Sequence, residues 1–105
     1  MITFTARVKM IAGKEIEAMA AAKKMVEMVE QEEPGALAYI CHQSEDNAQE
    51  LVFYEAYADE VAAEVHSKTP HFTQFKSHFG TLFDTASGAR IEYLDRIAGF
   101  SRNED

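Results

Sequence analysis

The sequence has 105 residues, of which 47% are hydrophobic and 27% are charged, and its formal net charge is -8 at pH 7. A chain of this length and composition forms one domain with a real core, which excludes general disorder. The acidic balance and the scattered Lys and Arg residues disfavour a nucleic-acid partner, because phosphate binding requires clustered positive charge. No run is apolar enough to cross a bilayer and no signal sequence is evident, so we expect a cytoplasmic protein. The single Cys41 cannot form an internal disulfide, and we expect an inert buried thiol.

The first third of the chain predicts a strand and a helix. Apolar and polar residues alternate from Ile2 to Met10, which is typical of a strand with one wet face. Gly13 breaks this pattern, and apolar residues then recur at helical spacing from Lys14 to Glu32. The turn from Glu33 to Gly35 ends the helix, because the residue before proline avoids helical geometry and glycine tolerates a positive φ.

Two further strands are predicted at 36–43 and 49–57, joined by a polar hairpin connection. Both strands are apolar on both sides: Leu37, Tyr39 and Cys41 alternate with Ala36, Ala38 and Ile40, and Leu51, Phe53 and Tyr57 alternate with Val52, Tyr54 and Ala56. Helices of the same chain can cover only one side of so small a sheet. We therefore predict that the other side meets a second copy in a homodimer.

The next stretch predicts two short helices. Asp59 is a suitable N-cap for a helix from Glu60 to Ser67, because its carboxylate can accept from the free N–H groups of the first turn. Thr69 and Pro70 then signal a second helix start. Four aromatic residues on this second helix fall three or four positions apart and share a face: Phe72, Phe75, Phe79 and Phe83.

A last strand is predicted from Arg90 to Phe100, after a loop of small residues. The order of elements is strand, helix, strand, strand, helices, strand, which is the split βαβ arrangement. We therefore predict an α+β fold of the ferredoxin-like βαββαβ type, with a four-stranded antiparallel sheet and helices on one face. We expect a single domain over residues 1–100 and a polar C-terminal tail at 101–105.

Three segments carry a family resemblance that extends from Ile2 to about Gly99. They are EPGALAYICHQ at 33–43, FYEAYAD at 53–59 and HSKTPHF at 66–72. In their order and spacing they resemble the antibiotic biosynthesis monooxygenase (ABM) domain family, within the dimeric α/β barrels. The resemblance implies a homodimer whose two sheets pack face to face, with a pocket between sheet and helices in each subunit.

The resemblance also implies a type of chemistry. Members of the family include oxygenases that act on quinols or phenols without metal, flavin or haem, and other members have no assigned activity. A deprotonated, electron-rich dihydroxyarene can itself pass an electron to O2, so the protein need supply only a base, a water-poor pocket and alignment. We expect a monooxygenase with no cofactor, acting on a small aromatic substrate and O2. The alternative is a non-catalytic dimeric domain that binds an apolar small molecule.

His66 and His71 match the paired histidines of the family segment and are the candidate bases, since the pKa of histidine lies near neutral pH. Tyr54 and Tyr57 are candidates to hydrogen-bond a substrate oxygen. Three phenylalanines are candidate walls for the aromatic ring: Phe72, Phe75 and Phe79. A structural role is nevertheless the preferred interpretation for each phenylalanine, as a core residue, and for each histidine, in capping or packing, most clearly for His42 and His78.

The sequence argues against a metal site and against haem degradation. His66 and His71 are separated by Pro70, so one continuous helix cannot carry both, and no spacing matches the common zinc patterns. The chain has no Trp, and the only asparagines, Asn47 and Asn103, are not on the first strand, where the haem-degrading branch carries one. The absence of Trp also favours a small quinol-like substrate over a polyketide.

Overall fold

A computed structural model of the chain describes residues 1–102 and contains four strands and three helices. In chain order the elements are β1 (Ile2–Lys9), α1 (Glu15–Glu32), β2 (Ala36–Gln43), β3 (Glu50–Tyr57), α2 (Glu60–Ser67), α3 (Pro70–Lys76) and β4 (Arg90–Leu94). The strands form one antiparallel sheet in the order β2-β3-β1-β4. This arrangement confirms the ferredoxin-like α+β fold predicted from the sequence.

The core lies between one face of the sheet and the helices. Alternation along β1 and β3 directs every second side chain toward α1, and the small residues Ala18 and Ala22 let that helix approach the sheet closely. The main cluster of buried apolar residues is Ala6, Val8, Met10, Ala18, Ala22, Leu51, Phe53 and Phe83.

The predicted helix starts after β3 are confirmed. The Asp59 carboxylate accepts a hydrogen bond from the Ala62 N–H at 2.8 Å, and α2 follows. The Thr69 hydroxyl accepts from the Phe72 N–H at 3.1 Å, with Pro70 in the first turn of α3. Because Lys68 and Thr69 separate α2 from α3, the two helices can approach the sheet from different directions.

The predicted length of α3 is wrong. The helix ends at Lys76, and Phe79 and Phe83 follow it in a compact turn in which Gly80 has a φ of +97°. The Gly80 N–H donates to the Phe83 carbonyl at 2.7 Å, which closes this turn. Phe83 still reaches the core, where its ring centroid lies 5.0 Å from that of Phe75. The aromatic cluster therefore forms, but across a turn and not along one helix face.

The last strand is also shorter than predicted. β4 ends at Leu94, and residues 95–102 have no regular secondary structure. In this segment the Arg96 guanidinium donates to the Tyr54 hydroxyl at 2.9 Å. Ile97 and Phe100 are 93% and 83% exposed, so the apolar pattern that predicted a longer strand is not used within the sheet. Of the predicted polar tail at 101–105, residues 103–105 lie outside the described part of the chain.

Within residues 1–102, no helix covers the face of the sheet opposite α1, α2 and α3. We call it the open face; its apolar side chains include Ala38, Ile40, Val52, Tyr54 and Leu94. Ile40 is 49% exposed and Leu94 is 39% exposed. Leu37, which was expected to share a side with Tyr39, is exposed instead, because the register of β2 and β3 shifts between Ala36 and Ala38.

Candidate active site

A cavity of about 390 Å³ lies between the sheet and the helices. Most of its wall is apolar and aromatic, contributed by β1, β3, β4, α3 and the turn after α3: Phe4, Phe53, Phe72, Phe75, Phe79 and Tyr93 are among its lining residues. Glu55 and His66 line the same cavity, so titratable groups face a mainly apolar space. A concave, largely apolar site with a few convergent polar groups is typical of small-molecule pockets.

His66 is held in the last turn of α2 and is only 4% exposed. Its ring packs among three aromatic rings, with centroid distances of 5.3 Å to Tyr39, 5.3 Å to Tyr57 and 5.1 Å to Phe72. These contacts fix the plane of the imidazole. The ring therefore presents its two nitrogens in defined directions, Nδ1 toward Glu33 and Nε2 toward Glu55.

Glu33 reaches His66 because of the turn that follows α1. The Ala36 N–H donates to the Glu33 carbonyl at 3.0 Å, which closes the turn through Pro34 and Gly35. Contrary to the sequence prediction, Gly35 does not have a positive φ. A Cβ at Gly35 would lie 2.6 Å from the Ala62 Cβ, so glycine is required here by the close approach of the turn to α2. Ala62 lies one helical turn before His66, and this packing carries Glu33 to the imidazole.

The Glu33 carboxylate joins both candidate histidines. His66 Nδ1 lies 2.9 Å from Glu33 Oε1, and His71 Nε2 lies 2.5 Å from Glu33 Oε2. A carboxylate can only accept, so each ring nitrogen that faces it donates its proton. A neutral His66 therefore carries its proton on Nδ1 and has a free lone pair on Nε2. This is the arrangement in which a buried carboxylate orients a histidine that serves as a general base.

Glu55 lies on the other side of His66. It points inward from β3, between Phe53 and Tyr57, and is 4% exposed. The Tyr57 hydroxyl donates to Glu55 Oε1 at 2.6 Å, and His66 Nε2 lies 3.7 Å from the same oxygen. Burial raises the pKa of Glu55 to about 7; the Tyr57 hydrogen bond opposes this rise and the Glu33 carboxylate adds to it. Glu55 can therefore take up or release a proton near neutral pH.

The burial of the site also affects its other titratable groups. Burial lowers the pKa of His66, while the hydrogen bond and the charge of Glu33 act in the opposite direction. Burial raises the pKa values of Tyr39 and Tyr57, so both phenols stay protonated. Burial likewise raises the pKa of Cys41 to about 11, in agreement with an unreactive thiol. Within residues 1–102, no Lys or Arg nitrogen lies within 4.0 Å of the Glu33 or Glu55 carboxylate.

The structure places the predicted site residues in three different situations. His66, Phe72, Phe75 and Phe79 line the cavity. His71 and Tyr57 are buried behind its wall, where His71 contacts Glu33 and Tyr57 contacts Glu55. Tyr54 lies on the open face of the sheet with Arg96 and does not reach the cavity.

Sequence reasoning missed Glu33 and Glu55 as members of the site. The signal for Glu55 was available, because it alternates in phase with Phe53 and Tyr57 on the buried face of β3. Glu33 gave no comparable signal, since it follows a helix rich in acidic residues and its partners are 33 and 38 positions away. Because the sequence has no zinc-like spacing, it also gave no indication that Glu33, His66 and His71 bring three ligand atoms within 4.8 Å of one another.

The fold and the site together define a ferredoxin-like domain with a buried acid–histidine network beside a mainly apolar cavity. The chain belongs to the antibiotic biosynthesis monooxygenase family, whose model matches residues 1–77. The resemblance inferred from the three sequence segments is thus confirmed. No functionally curated protein matches the chain.

Solved structures with the same fold include members of this family. A provisionally named antibiotic biosynthesis monooxygenase from Caulobacter crescentus is 27% identical, with a TM-score of 0.83 over 92% of this chain and 90% of that one. PA3566 from Pseudomonas aeruginosa is 25% identical, with a TM-score of 0.81 over 92% and 94% of the two chains. A provisionally named family member from Nitrosomonas europaea is 20% identical and shares the fold, with a TM-score of 0.82 over 93% and 100%. Family membership and the name of the Caulobacter structure support monooxygenase activity as a possible function.

Among the described residues, no helix has both the length and the apolar character needed to cross a membrane.

Proposed function

We propose that the protein is a cofactor-independent monooxygenase that oxidises a small quinol or phenolic aromatic with O2. The observation that carries the proposal is the orientation of His66. Its Nδ1 is committed to Glu33, so the free Nε2 lone pair lies next to an apolar, aromatic-walled cavity. A phenolic hydroxyl placed at this end of the cavity can give its proton to Nε2, while Glu55 lies beside it as a second polar group.

The reaction then proceeds without an external reductant. The phenolate transfers one electron to O2, which gives an aryloxyl radical and superoxide, and these combine to form a carbon–oxygen bond. Cleavage of the O–O bond with loss of water leaves one oxygen atom on the ring and places the other in water. All the electrons come from the substrate, so a phenol and O2 yield a quinone and H2O. The apolar walls keep bulk water away from the radical pair.

His71 has a positioning role in this proposal. Its ring does not line the cavity, but it donates to the same carboxylate that orients His66. This second hydrogen bond holds the Glu33 carboxylate in the position from which it orients His66. Tyr57 acts in a similar way on Glu55. The walls that hold the aromatic ring are Phe72, Phe75 and Phe79.

Oxygen uptake by chelator-treated protein, measured against a panel of reduced quinols and phenols, tests the proposal. We expect saturable, enzyme-dependent uptake that is lost in His66→Ala. His71→Asn should keep uptake but shift its pH profile, because the base remains while its orientation loosens. His78→Ala is the matched control, since His78 lies outside the cavity and should leave the rate unchanged.

The same panel discriminates against the binding alternative. Saturable quenching or displacement of an aromatic ligand, without oxygen uptake on any substrate, would favour a non-catalytic domain that binds an apolar small molecule. Uptake that persists unchanged in His66→Ala would reject His66 as the base.

We also propose that the chain functions as a homodimer through the open face. Ile40 and Leu94 leave apolar area exposed on the open face, and Ile97 and Phe100 are also exposed, in the segment that follows β4. ABM domains are commonly dimeric, in agreement with this surface. Sedimentation equilibrium at micromolar concentration should give twice the chain mass, and Ile40→Glu should shift the equilibrium toward monomer. A wild-type monomer at these concentrations would contradict the proposal.

A further inference from the structure

Three ligand atoms converge where three helix ends meet. Glu33 lies at the C-terminal end of α1, His66 in the last turn of α2 and His71 in the first turn of α3. The Glu33 carboxylate, His66 Nδ1 and His71 Nε2 all lie within 4.8 Å of one another, and all three side chains are buried. We propose that these atoms form a binding site for one divalent transition-metal ion. The ion would replace the protons that now lie between the Glu33 carboxylate and the two imidazoles.

The distances within the cluster suit such an ion after a small adjustment. Bonds from zinc to imidazole nitrogen or carboxylate oxygen are about 2.0–2.2 Å, which places neighbouring ligand atoms about 3.0–3.5 Å apart. The nitrogen–oxygen distances here are 2.9 Å for His66 and 2.5 Å for His71. The nitrogen–oxygen distances would therefore lengthen by less than about 1 Å, and the two imidazole nitrogens, which lie within 4.8 Å of each other, would come to about 3.0–3.5 Å. Rotation of the two imidazoles and the carboxylate can supply both changes.

Glu55 supplies the outer contact that histidine ligands of metals usually have. A metal-bound imidazole commonly donates its other N–H to a carboxylate. If Nδ1 of His66 binds the ion, the proton resides on Nε2, which faces Glu55 Oε1 at 3.7 Å. A modest shift would form this hydrogen bond. Glu55 is in turn held by the Tyr57 hydroxyl, so the outer contact is itself fixed.

The charges of the cluster also favour a dication. Glu33 and Glu55 are two buried carboxylates, and within residues 1–102 no Lys or Arg nitrogen lies within 4.0 Å of either. An ion of charge +2, bound by Glu33 and two neutral imidazoles and hydrogen-bonded through His66 to Glu55, would balance both negative charges. Buried charges are stable only when they are paired or bind a metal.

The donor set indicates which ions are suitable. Two imidazoles and one carboxylate, without a thiolate, suit Zn2+, Co2+, Ni2+ and Fe2+, whereas Mg2+ and Ca2+ prefer oxygen ligands. Glu33 also borders a second hollow between α1 and β2, separate from the main cavity, which offers a route for entry. Glu33 and His71 do not line the main cavity, so the ion would lie behind its wall.

The site itself does not depend on the proposed oxygenation, but one consequence does. An ion on Nδ1 keeps the proton on Nε2, so His66 can no longer accept a proton from a substrate. Metal binding would then inhibit a cofactor-independent oxygenase, and a chelator would restore its activity. If the protein proves inactive on every substrate, this consequence lapses and the binding measurements still decide the metal site.

Calorimetric titration of chelator-treated protein with Zn2+, and absorption spectra with Co2+, test the site directly. We expect about one ion per chain and a Co2+ spectrum without a thiolate charge-transfer band. Glu33→Gln and His71→Asn should each weaken binding by roughly tenfold or more, since each removes a ligand. Cys41→Ser and His78→Asn are matched controls, because they remove other metal-binding side chains and should bind as the wild type does.

Imidazole nitrogen NMR of the wild-type protein serves if the ligand variants do not fold. Addition of Zn2+ should change Nδ1 of one histidine and Nε2 of a second one, corresponding to His66 and His71. The absence of stoichiometric binding would overturn the proposal. So would unchanged affinity in a folded Glu33→Gln variant, or NMR changes confined to His42 and His78.

Discussion

Replacement of Glu55 by glutamine tests the electrostatic cost of the buried network. The carboxyl is 4% exposed, and its pKa rises from the ordinary 4.5 to about 7 in the folded protein. Glutamine has nearly the same shape, and its Oε1 can still accept the hydrogen bond that the Tyr57 hydroxyl donates. The substitution therefore removes the titration of Glu55 while it preserves the packing.

The sign and size of the effect follow from this raised pKa. Between pH 4.5 and pH 7 the folded state binds more protons at Glu55 than the unfolded state, so the contribution of Glu55 to the free energy of unfolding falls as the pH rises through this window. At about 1.36 kcal/mol per pH unit, the full loss is about 3 kcal/mol. Glu55→Gln lacks this loss. Its stability relative to the wild type should therefore rise by about 3 kcal/mol from pH 4.5 to pH 8.

Urea denaturation followed by circular dichroism measures this difference. The two proteins are compared at fixed protein concentration, with a chelator present, because dimerisation or metal binding would otherwise shift the apparent stability. Glu64→Gln is the control, since Glu64 is exposed and Lys68 lowers its pKa. A difference between Glu55→Gln and the wild type that does not change with pH would refute the reasoning.

Three further substitutions test the parts that position the site. Gly35→Ala should destabilise the fold by about 1–3 kcal/mol, because the new Cβ would lie 2.6 Å from that of Ala62; thermal unfolding measures this, and an unchanged midpoint would contradict it. Asp59→Ala removes the N-cap of α2 and should cost about 1 kcal/mol, whereas an equal loss in Asp59→Asn would argue against a capping role. Tyr57→Phe removes the hydrogen bond that lowers the pKa of Glu55, so carboxyl NMR should show that pKa rising further, and a fall would disprove this assignment.

The fold was largely predictable because local signals agreed with the packing. The alternation of side chains along β1 and β3 predicted which of them face the core, and Asp59 and Thr69 marked helix starts that the structure confirms. The failures occur where one pattern fits two conformations. Phenylalanines at helical spacing cluster equally well across the turn at Gly80, and an apolar alternation past Leu94 extends beyond the sheet.

The candidate site was predictable only in part. His66 and His71 were identified by the segment that carries them, but their separation by a helix break concealed that both rings turn to one carboxylate. The position of that carboxylate depends on the close approach of Gly35 to Ala62, which is a contact between segments distant in the sequence. Periodicity and capping describe neighbours in the chain, so they cannot reveal a partner that only tertiary packing supplies.

The position of β4 has a consequence for how the chain is made. Among the described residues β4 pairs only with β1, and residues 10–89 separate the two strands. During synthesis, one edge of β1 therefore stays unpaired until β4 has left the ribosome. An unpaired strand edge is a template for pairing with another chain. Nascent chains, or chains truncated before β4, should consequently aggregate most readily through β1. The rate at which β4 pairs with β1 would set how long that edge remains available for aggregation.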